Sequence, residues 1–340
     1  MRWAAFELHT HTPHSDGRHT LEEMALKAKE LGLYGLALTD HNTISGLEAR
    51  RQVTQNTGVR IVKGMEWTTF YGHMVTLGLR EYADWRDLGP HDIHEGIRRV
   101  HDQGGIVGVA HPFTLGTPIC TGCRWEYTIK DWREVDYMEV WHSLFPSTLH
   151  YNQEAFRTWD DLLNRGQRVV GLYGRDWHDS ADEGPEAATF LGLDETEPED
   201  IDRAVVEAIR KGRVSVSMGP LLLMNVQAGG VHYQIGDVIR TEGKATASIS
   251  VQVTVDHTAR KSIPELESQP LKLEIESNFG EQAAATLRPG ATTVTVQLDP
   301  AGLRWFRACL KGVFHGVHTT VAFTNPIYLS PTDSEAAGNR

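Results

Sequence analysis

Short apolar segments alternate with amphipathic helical segments up to about Ser217, and this alternation constrains the fold more than any other feature. The strand-like segments are Ala4–His11, Tyr34–Thr39, Val59–Glu66, His73–Leu79, Ile106–Ala110, Asp136–Trp141, Arg168–Tyr173 and Arg213–Ser217. The helical segments are Leu21–Leu31, a stretch from Ser45 to near Gly58, Asp92–Gln103, Tyr151–Asn164 and Pro198–Lys211. Repeated βα units predict an α/β fold with a mainly parallel sheet covered by helices. About seven repeats favour a closed or nearly closed (β/α)7-type barrel, with an open doubly wound sheet as the alternative.

The pattern changes after Pro220. Ala245–Val255 alternates strictly between apolar and polar residues, and Leu271–Ile275 and Val294–Leu298 alternate too. Further strand-like segments lie at Arg304–Leu310 and Thr319–Phe323. Such alternation predicts an antiparallel, sandwich-like β domain. The 340 residues are therefore expected to divide into an α/β domain over 1–218, a β extension over 219–330 and a disordered polar tail over 331–340.

Net charge, the length of apolar segments and the number of cysteines indicate which cellular compartment and which binding partners to expect. The net charge is −12 and the chain carries no basic run, which disfavours binding to a nucleic-acid polymer, although a nucleotide could still be a substrate. No apolar segment has membrane-spanning length, so we expect no membrane association. Three cysteines, Cys120, Cys123 and Cys309, are too few for a disulfide framework. We therefore expect a cytoplasmic protein, either a monomer or a homo-oligomer.

Side chains that bind metals end several of the predicted strands. His9 and His11 end the first strand, and because residues two apart on a strand point to one face, their imidazoles should converge. The later strand ends carry His41, Glu66, His111, Glu139, Asp176 and His178. In a βα barrel these ends meet at one rim, where active sites form. Neutral imidazoles and carboxylates suit zinc, manganese or iron, so the sequence predicts a metal site at this rim.

Five motifs in order resemble those of the PHP (polymerase and histidinol phosphatase) family. They are His9-x-His11-x4-Asp16-Gly17, Thr39-Asp40-His41, Gly64-x-Glu66, Ala110-His111-Pro112 and Asp176-x-His178, and the resemblance covers about residues 5–215. Leu38–Thr43 and Gly72-His73-Met74 resemble more closely the branch that includes carbaryl hydrolase, and the β domain with Thr324–Tyr328 resembles, more loosely, the extension carried by that branch. The resemblance implies a distorted barrel that holds two or three divalent ions, commonly Zn, Mn or Fe.

The ligands implied by the resemblance are His9, His11, Asp16, His41, Glu66, His111, Glu139, Asp176 and His178, with Glu66 bridging two ions. One position leaves a choice, because either Glu139 or His142 could face the metals. Residues three apart on a regular strand point to opposite faces, and we favour Glu139. Asp40 is expected either to orient a neighbouring histidine or to stabilise a turn.

The expected activity is that of a metal-dependent hydrolase that uses a metal-bridging hydroxide. His178 or His142 could supply a proton to the leaving group, with His73 and His14 as weaker candidates, and Arg175 could hold a phosphate oxygen. We expect a small phosphate monoester or diester as substrate. The alternatives are a carboxyl or carbamate ester with an aromatic leaving group, and a non-catalytic binding module stabilised by metal.

Two features of the sequence can be interpreted either structurally or functionally. Cys120 and Cys123 have the spacing of half a zinc knuckle, but no second such pair exists, so two ordinary loop thiols are favoured. Aromatic residues follow several motifs and could either bind an aromatic leaving group or pack against loops. These aromatic residues are Trp67, Phe70, Tyr71, Trp141 and Trp177.

Overall fold

The computed structural model describes residues 1–116, 122–179, 186–241, 248–261 and 263–331. Its strands are β1 (Arg2–Thr10), β2 (Gly35–Leu38), β3 (Arg60–Thr69), β4 (Gly72–Leu77), β5 (Ile106–Ala110), β6 (Tyr137–His142), β7 (Val170–Gly174), β8 (Ala188–Leu193), β9 (Val214–Ser217), β10 (Leu221–Ala228), β11 (Val231–Gln234), β12 (Val238–Thr241), β13 (Ile249–Asp256), β14 (Leu271–Ser277), β15 (Gly280–Leu287), β16 (Thr293–Leu298), β17 (Trp305–Phe314), β18 (Val317–Thr324) and β19 (Ile327–Pro331). Its helices are α1 (Leu21–Glu30), α2 (Arg50–Thr57), α3 (Ile93–Asp102), α4 (His150–Asn164), α5 (Ile201–Arg210) and α6 (Pro264–Glu267). The helix predicted from Ser45 begins instead as a 3-10 turn over Ser45–Ala49.

Helix α1 illustrates how local sequence sets an element. The Thr20 side chain accepts the N–H of Glu23, and the Glu23 carboxylate accepts the N–H of Thr20, which together form a capping box. The helix buries an apolar face of Leu21, Met24, Ala25 and Ala28. This face packs with Leu36 and Leu38 of β2, so one side of the sheet is covered as the amphipathic pattern predicted.

The first seven strands are adjacent in chain order, from β1 to β7. Four of their pairs are parallel: β1–β2, β2–β3, β5–β6 and β6–β7. The prediction of a mainly parallel sheet is wrong for β4, which runs antiparallel to both β3 and β5. The reason is local, because only Phe70 and Tyr71 separate β3 from β4, and a two-residue connection can join only antiparallel strands.

The two ends of this seven-strand run meet beyond β7. Thr10 and Trp177 form a parallel bridge, in which the His11 N–H donates to the Trp177 carbonyl at 2.9 Å. The Trp177 N–H donates in turn to the His9 carbonyl at 3.0 Å. These contacts place the segment after β7 beside the end of β1. The mixed α/β fold is confirmed, while full closure into a barrel stays a prediction.

The C-terminal strands build on the same sheet. β8 and β9 are antiparallel neighbours, and β9 also pairs with β18, so hydrogen bonding continues from the α/β region into the C-terminal region. A second sheet has the order β11-β10-β13-β16. Ile249, Val251, Val253 and Val255 of β13 are all buried, which confirms the alternation predicted there. The predicted start of this strand and most of the predicted tail lie outside the described residues, and the domain boundaries stay a prediction.

Within the described ranges, every helix is too short or too polar to cross a lipid bilayer.

Candidate metal centre

The carboxylate of Glu66, in β3, lies at the centre of a group of histidines. Its Oε2 atom is 3.2 Å from His9 Nε2 and 2.7 Å from His41 Nδ1. Its Oε1 atom is 2.9 Å from His73 Nδ1 and 3.2 Å from His111 Nε2. Glu66 is completely buried. Burial alone would raise its pKa, but the surrounding histidines, His9 and His41 first, hold the pKa well below its usual range.

The segment after β7 completes the cluster from the other side. Asp176 Oδ1 lies 2.9 Å from His11 Nε2 and 3.3 Å from His9 Nε2. His178 Nε2 lies 3.1 Å from Asp16 Oδ1, which is also 3.5 Å from His41 Nε2. Residues that are far apart in the sequence therefore place their ligand atoms in one continuous cluster.

The cluster divides into three groups whose potential ligand atoms lie within 4.8 Å of one another. We call them the central group (His9, His11, Glu66 and Asp176), the inner group (Glu66, His73 and His111) and the outer group (His11, Asp16, His41 and His178). The central and inner groups are buried except for the Asp176 side chain, which is 23% exposed, whereas the Asp16 side chain is 58% exposed. Glu66 and His11 each belong to two groups, so neighbouring sites would share ligands.

Several buried atoms of this cluster make no hydrogen bond of acceptable geometry. Among them are His9 Nε2, His11 Nε2 and Asp176 Oδ1. Buried polar atoms normally have partners, because desolvation without a replacement bond is costly. These atoms point at one another across short distances and belong to residue types that bind divalent zinc, manganese or iron. The types of donor atom and the absence of hydrogen bonds to several of them therefore fit the binding of divalent metal ions.

Backbone strain is concentrated at the same strand ends. Positive φ angles occur at Asn42 (54°), His111 (27°), Ser143 (66°) and Asp176 (59°), each of them a ligand candidate or next to a candidate site residue. Residues other than glycine adopt this conformation at a cost of about 1–3 kcal/mol, and such outliers are frequent at functional sites. These strained backbone conformations therefore coincide with the positions of candidate ligands or of their neighbours in sequence.

The carboxylates control the charge of the histidines. Burial lowers the pKa of His41 and His178, but the nearby carboxylates outweigh it and raise these pKa values to about 10 and about 9. In contrast, burial lowers the pKa of His142 to about 4, with a further contribution from His111. Burial likewise lowers the pKa of His11 to about 4, so the carboxylates favour the charged form of His41 and His178 but not of His11.

Glu139 was predicted to bind metal, but its carboxylate lies outside all three groups. Its Oε1 atom is 2.7 Å from His9 Nδ1, on the side of the ring away from Glu66 and Asp176. Its Oε2 atom accepts the backbone N–H of His111 at 3.0 Å. This arrangement is that of a carboxylate that orients a metal-binding histidine.

The argument that Glu139 and His142 must face opposite ways is wrong. A register shift between Glu139 and Trp141 interrupts the alternation of β6, as a β-bulge does. The His142 ring consequently lies 4.9 Å from the ring of His111, while Glu139 contacts His9 on the same side. His142 Nδ1 is buried without a hydrogen bond, and no group includes this residue.

The predicted phosphate contact of Arg175 does not fit the structure. Its Nη1 atom lies 3.2 Å from Glu186 Oε2, and its guanidinium lies 4.6 Å from the centre of the Trp177 ring. The guanidinium is thus paired and largely buried.

Of the aromatic residues that follow the motifs, Phe70 is 77% exposed and Tyr71 is half-exposed, whereas Trp67, Trp141 and Trp177 are buried.

Sequence reasoning undervalued His73. Because β4 returns antiparallel to β3, His73 pairs with Thr68 and its ring reaches Glu66. The available signal was the two-residue spacing between the two strands, which implies a hairpin and therefore proximity to the end of β3.

His14, the other weaker candidate for proton transfer, contacts Ser45 Oγ at 2.7 Å. Cys123 is buried, and Cys120 lies outside the described residues.

The α/β fold and the cluster of histidines and carboxylates define a protein with a candidate metal centre at its strand ends, and comparisons with known proteins specify the family. The PHP domain model matches residues 7–98. An uncharacterized protein of Methanocaldococcus jannaschii is 31% identical over 125 residues, which span 34% of this chain and 69% of the relative. The chain belongs to the PHP domain family.

Two further comparisons bear on the fold and the chemistry. The phosphoribosyl 1,2-cyclic phosphate 1,2-diphosphodiesterase of Eggerthella lenta is 35% identical over 83 residues, 23% of this chain and 32% of the relative. The chain thus matches only about a third of that enzyme. A two-domain protein of Bacteroides vulgatus, described as containing a predicted PHP-like metal-dependent phosphoesterase, superposes with a TM-score of 0.52 at 15% identity, over 96% of this chain and 95% of that one. At this identity the likeness concerns the fold alone.

Proposed function

We propose that this protein is a metal-dependent phosphoesterase that acts on small phosphate monoesters or diesters. The observation that carries the proposal is the set of three adjoining ligand groups around Glu66, with buried atoms that make no hydrogen bond of acceptable geometry. In this proposal β1–β7 form a distorted barrel, and the ligands lie at one rim of it.

We assign one divalent ion to each group. Glu66 would be shared by the central and inner ions, and His11 lies within reach of the central and outer ions. His178 serves here as a ligand and not as the proton donor, because its Nε2 atom faces Asp16 within the outer group. Glu139 would hold His9 in the orientation that turns Nε2 toward the ion.

Bound divalent ions would lower the pKa of a coordinated water and hold the charge that develops on a phosphoryl oxygen. The chain supplies other groups for the reaction. His142 lies beside the inner group, and its low pKa keeps it a neutral imidazole at pH 7. We propose that it forms a hydrogen bond to the leaving-group oxygen and so positions the substrate.

A small substrate is favoured over a nucleic-acid polymer. A 5'-3' exoribonuclease of Salmonella typhimurium is 32% identical over 80 residues, so relatives that act on RNA do exist. The net charge of −12, however, opposes the counterion-driven binding on which polymer recognition depends. The second candidate, a carboxyl or carbamate ester with an aromatic leaving group, rests on Phe70 and Tyr71, whose exposed rings lie at the turn just before His73.

The test compares chromogenic phosphate monoesters, phosphate diesters and carboxyl esters as substrates, with Mn, Zn or Fe and after chelation. We expect phosphate ester hydrolysis, its loss on chelation, and a drop of about 10³-fold in Asp176→Ala. Asp102→Ala, an exposed carboxylate at the end of α3, is the matched control and should retain full activity. Activity that survives both chelation and Asp176→Ala would overturn the proposal, and turnover of carboxyl esters alone would favour the second candidate.

A further inference from the structure

An arginine from the C-terminal region is inserted into the α/β region close to the metal centre. Arg260 follows β13, and its side chain is only 7% exposed. Its Nη2 atom lies 2.9 Å from Glu186 Oε1, and its Nε–H donates to the Leu31 carbonyl at 3.1 Å. Two different groups of the α/β region therefore hold this guanidinium.

The carboxylate of Glu186 joins this arginine to a second one. Its other oxygen, Oε2, lies 3.2 Å from Nη1 of Arg175. All three side chains are at least 85% buried. Two buried cations thus contact the same carboxylate, so loss of Glu186 would remove an ionic partner from each of them in a buried setting.

Arg175 connects this bridge to the candidate ligands. It immediately precedes Asp176, which belongs to the central group. Its backbone N–H donates to Glu7 Oε1 at 2.8 Å, and the same oxygen accepts the backbone N–H of His9 at 2.9 Å. An unbroken series of contacts therefore runs from the C-terminal region to both sides of the central group.

Packing alone does not account for an arginine at position 260. Its Nη1 atom is buried and makes no hydrogen bond, so the fold bears the cost of an unmet donor there. An apolar side chain of similar length would fill the space without that cost. What the arginine adds is a charged contact to Glu186, and through it a restraint on the segment that carries Asp176 and His178.

We propose that Arg260 is a positioning residue for the metal centre, acting through Glu186 and Arg175 to fix the segment that presents Asp176. The C-terminal region would then contribute to metal affinity although it supplies no ligand. This inference rests on the metal assignment of the proposed function.

The test uses the full chain loaded with Zn²⁺ or Mn²⁺ and follows metal release to a chromogenic chelator. The variants are Arg260→Gln, Glu186→Gln and the two combined. Arg304→Gln is the matched control, because Arg304 also joins the C-terminal region to the α/β region, by donating to the Asn164 carbonyl at the end of α4. We expect release to be about tenfold faster in each single variant, no faster again in the combined variant, and unchanged in Arg304→Gln.

Release from Arg260→Gln at the wild-type rate would overturn the inference while leaving the proposed function intact. Additive effects of the two substitutions would also overturn it, because Arg260 would then not act through Glu186. Should Arg260→Gln fail to fold, Arg260→Met decides in its place, since it removes the contact to Glu186 but keeps an unbranched side chain in the same space and leaves the Arg175 contact intact. A wild-type chain that binds neither ion would overturn the proposed function together with this inference.

Discussion

Two clusters of buried charged residues differ in whether their polar atoms have partners. Arg307 of β17 is 1% exposed, yet its Nε and Nη2 atoms both donate to Glu276 Oε2, and its Nη1 atom donates to Asp160 of α4. Its guanidinium also lies over the rings of Phe156, Trp159 and Trp305. The central group of the candidate metal centre is also largely buried, but there His9 Nε2, His11 Nε2 and Asp176 Oδ1 are left without hydrogen bonds of acceptable geometry.

The difference separates structure from function more sharply than burial does. A buried ion cluster whose donors are all paired gains nothing from an external ligand, and it holds α4 against the C-terminal sheet. In a buried cluster whose polar atoms face one another without hydrogen bonds, those atoms are available to coordinate a bound ion. The two clusters should therefore respond to mutation in different quantities: one in the free energy of unfolding, the other in metal affinity.

The largest expected effect is on the paired cluster. Arg307→Met should lower the free energy of unfolding by about 3 kcal/mol, because Glu276 and Asp160 lose their partner in a mostly buried setting. Urea denaturation of the metal-free protein measures this loss, and chelator titration of the folded variant should give the wild-type metal affinity. A large loss of metal affinity with little loss of stability would break the distinction between the two clusters.

A smaller effect is expected from Glu139→Gln. The amide can still accept the His111 N–H, but the charged partner of His9 Nδ1 is lost, so metal affinity should fall by about 10- to 100-fold. Competition with a chelating dye measures this change. Glu134→Gln is the matched control, because Glu134 forms the same kind of pair with His94, at 2.8 Å, away from the centre.

The stoichiometry decides between the two roles of Glu139. An orienting carboxylate leaves the number of bound ions unchanged when the metal is saturating. If Glu139→Gln instead loses one ion outright at saturation, Glu139 is a ligand, as the sequence predicted.

The sequence pattern located most of this centre for a simple physical reason. Repeated βα units bring strand ends to one edge, so His11, Glu66 and Asp176 could be expected together although more than a hundred residues separate the first from the last. The capping box at Thr20 was also predictable, because it depends only on residues three apart.

What could not be predicted depends on departures from regular geometry and on long-range pairing. The antiparallel turn into β4 brings His73 to Glu66, and the bulge in β6 puts Glu139 and His142 on one side. A regular strand pattern contains neither feature. The ion pair that occupies Arg175 involves Glu186, and Arg260 reaches the same carboxylate from a different region of the chain. Local spacing carries no information about such partners.

The smallest expected effect concerns Asp40, a residue next to the candidate metal centre whose carboxylate oxygens both accept hydrogen bonds. Asp40 is buried and accepts the Thr12 N–H at 2.7 Å and the Thr12 and Ser15 hydroxyls at 2.8 Å each. It touches no candidate ligand in these contacts but holds the turn that carries Asp16. Asp40→Asn should therefore weaken only the exposed outer group, by less than about tenfold, because it acts through the backbone of the turn and not on a ligand. Stepwise metal titration should show one weaker ion and the others unchanged, whereas a uniform loss of affinity for all ions would mean that Asp40 contributes to coordination directly and that complete pairing does not mark a structural residue.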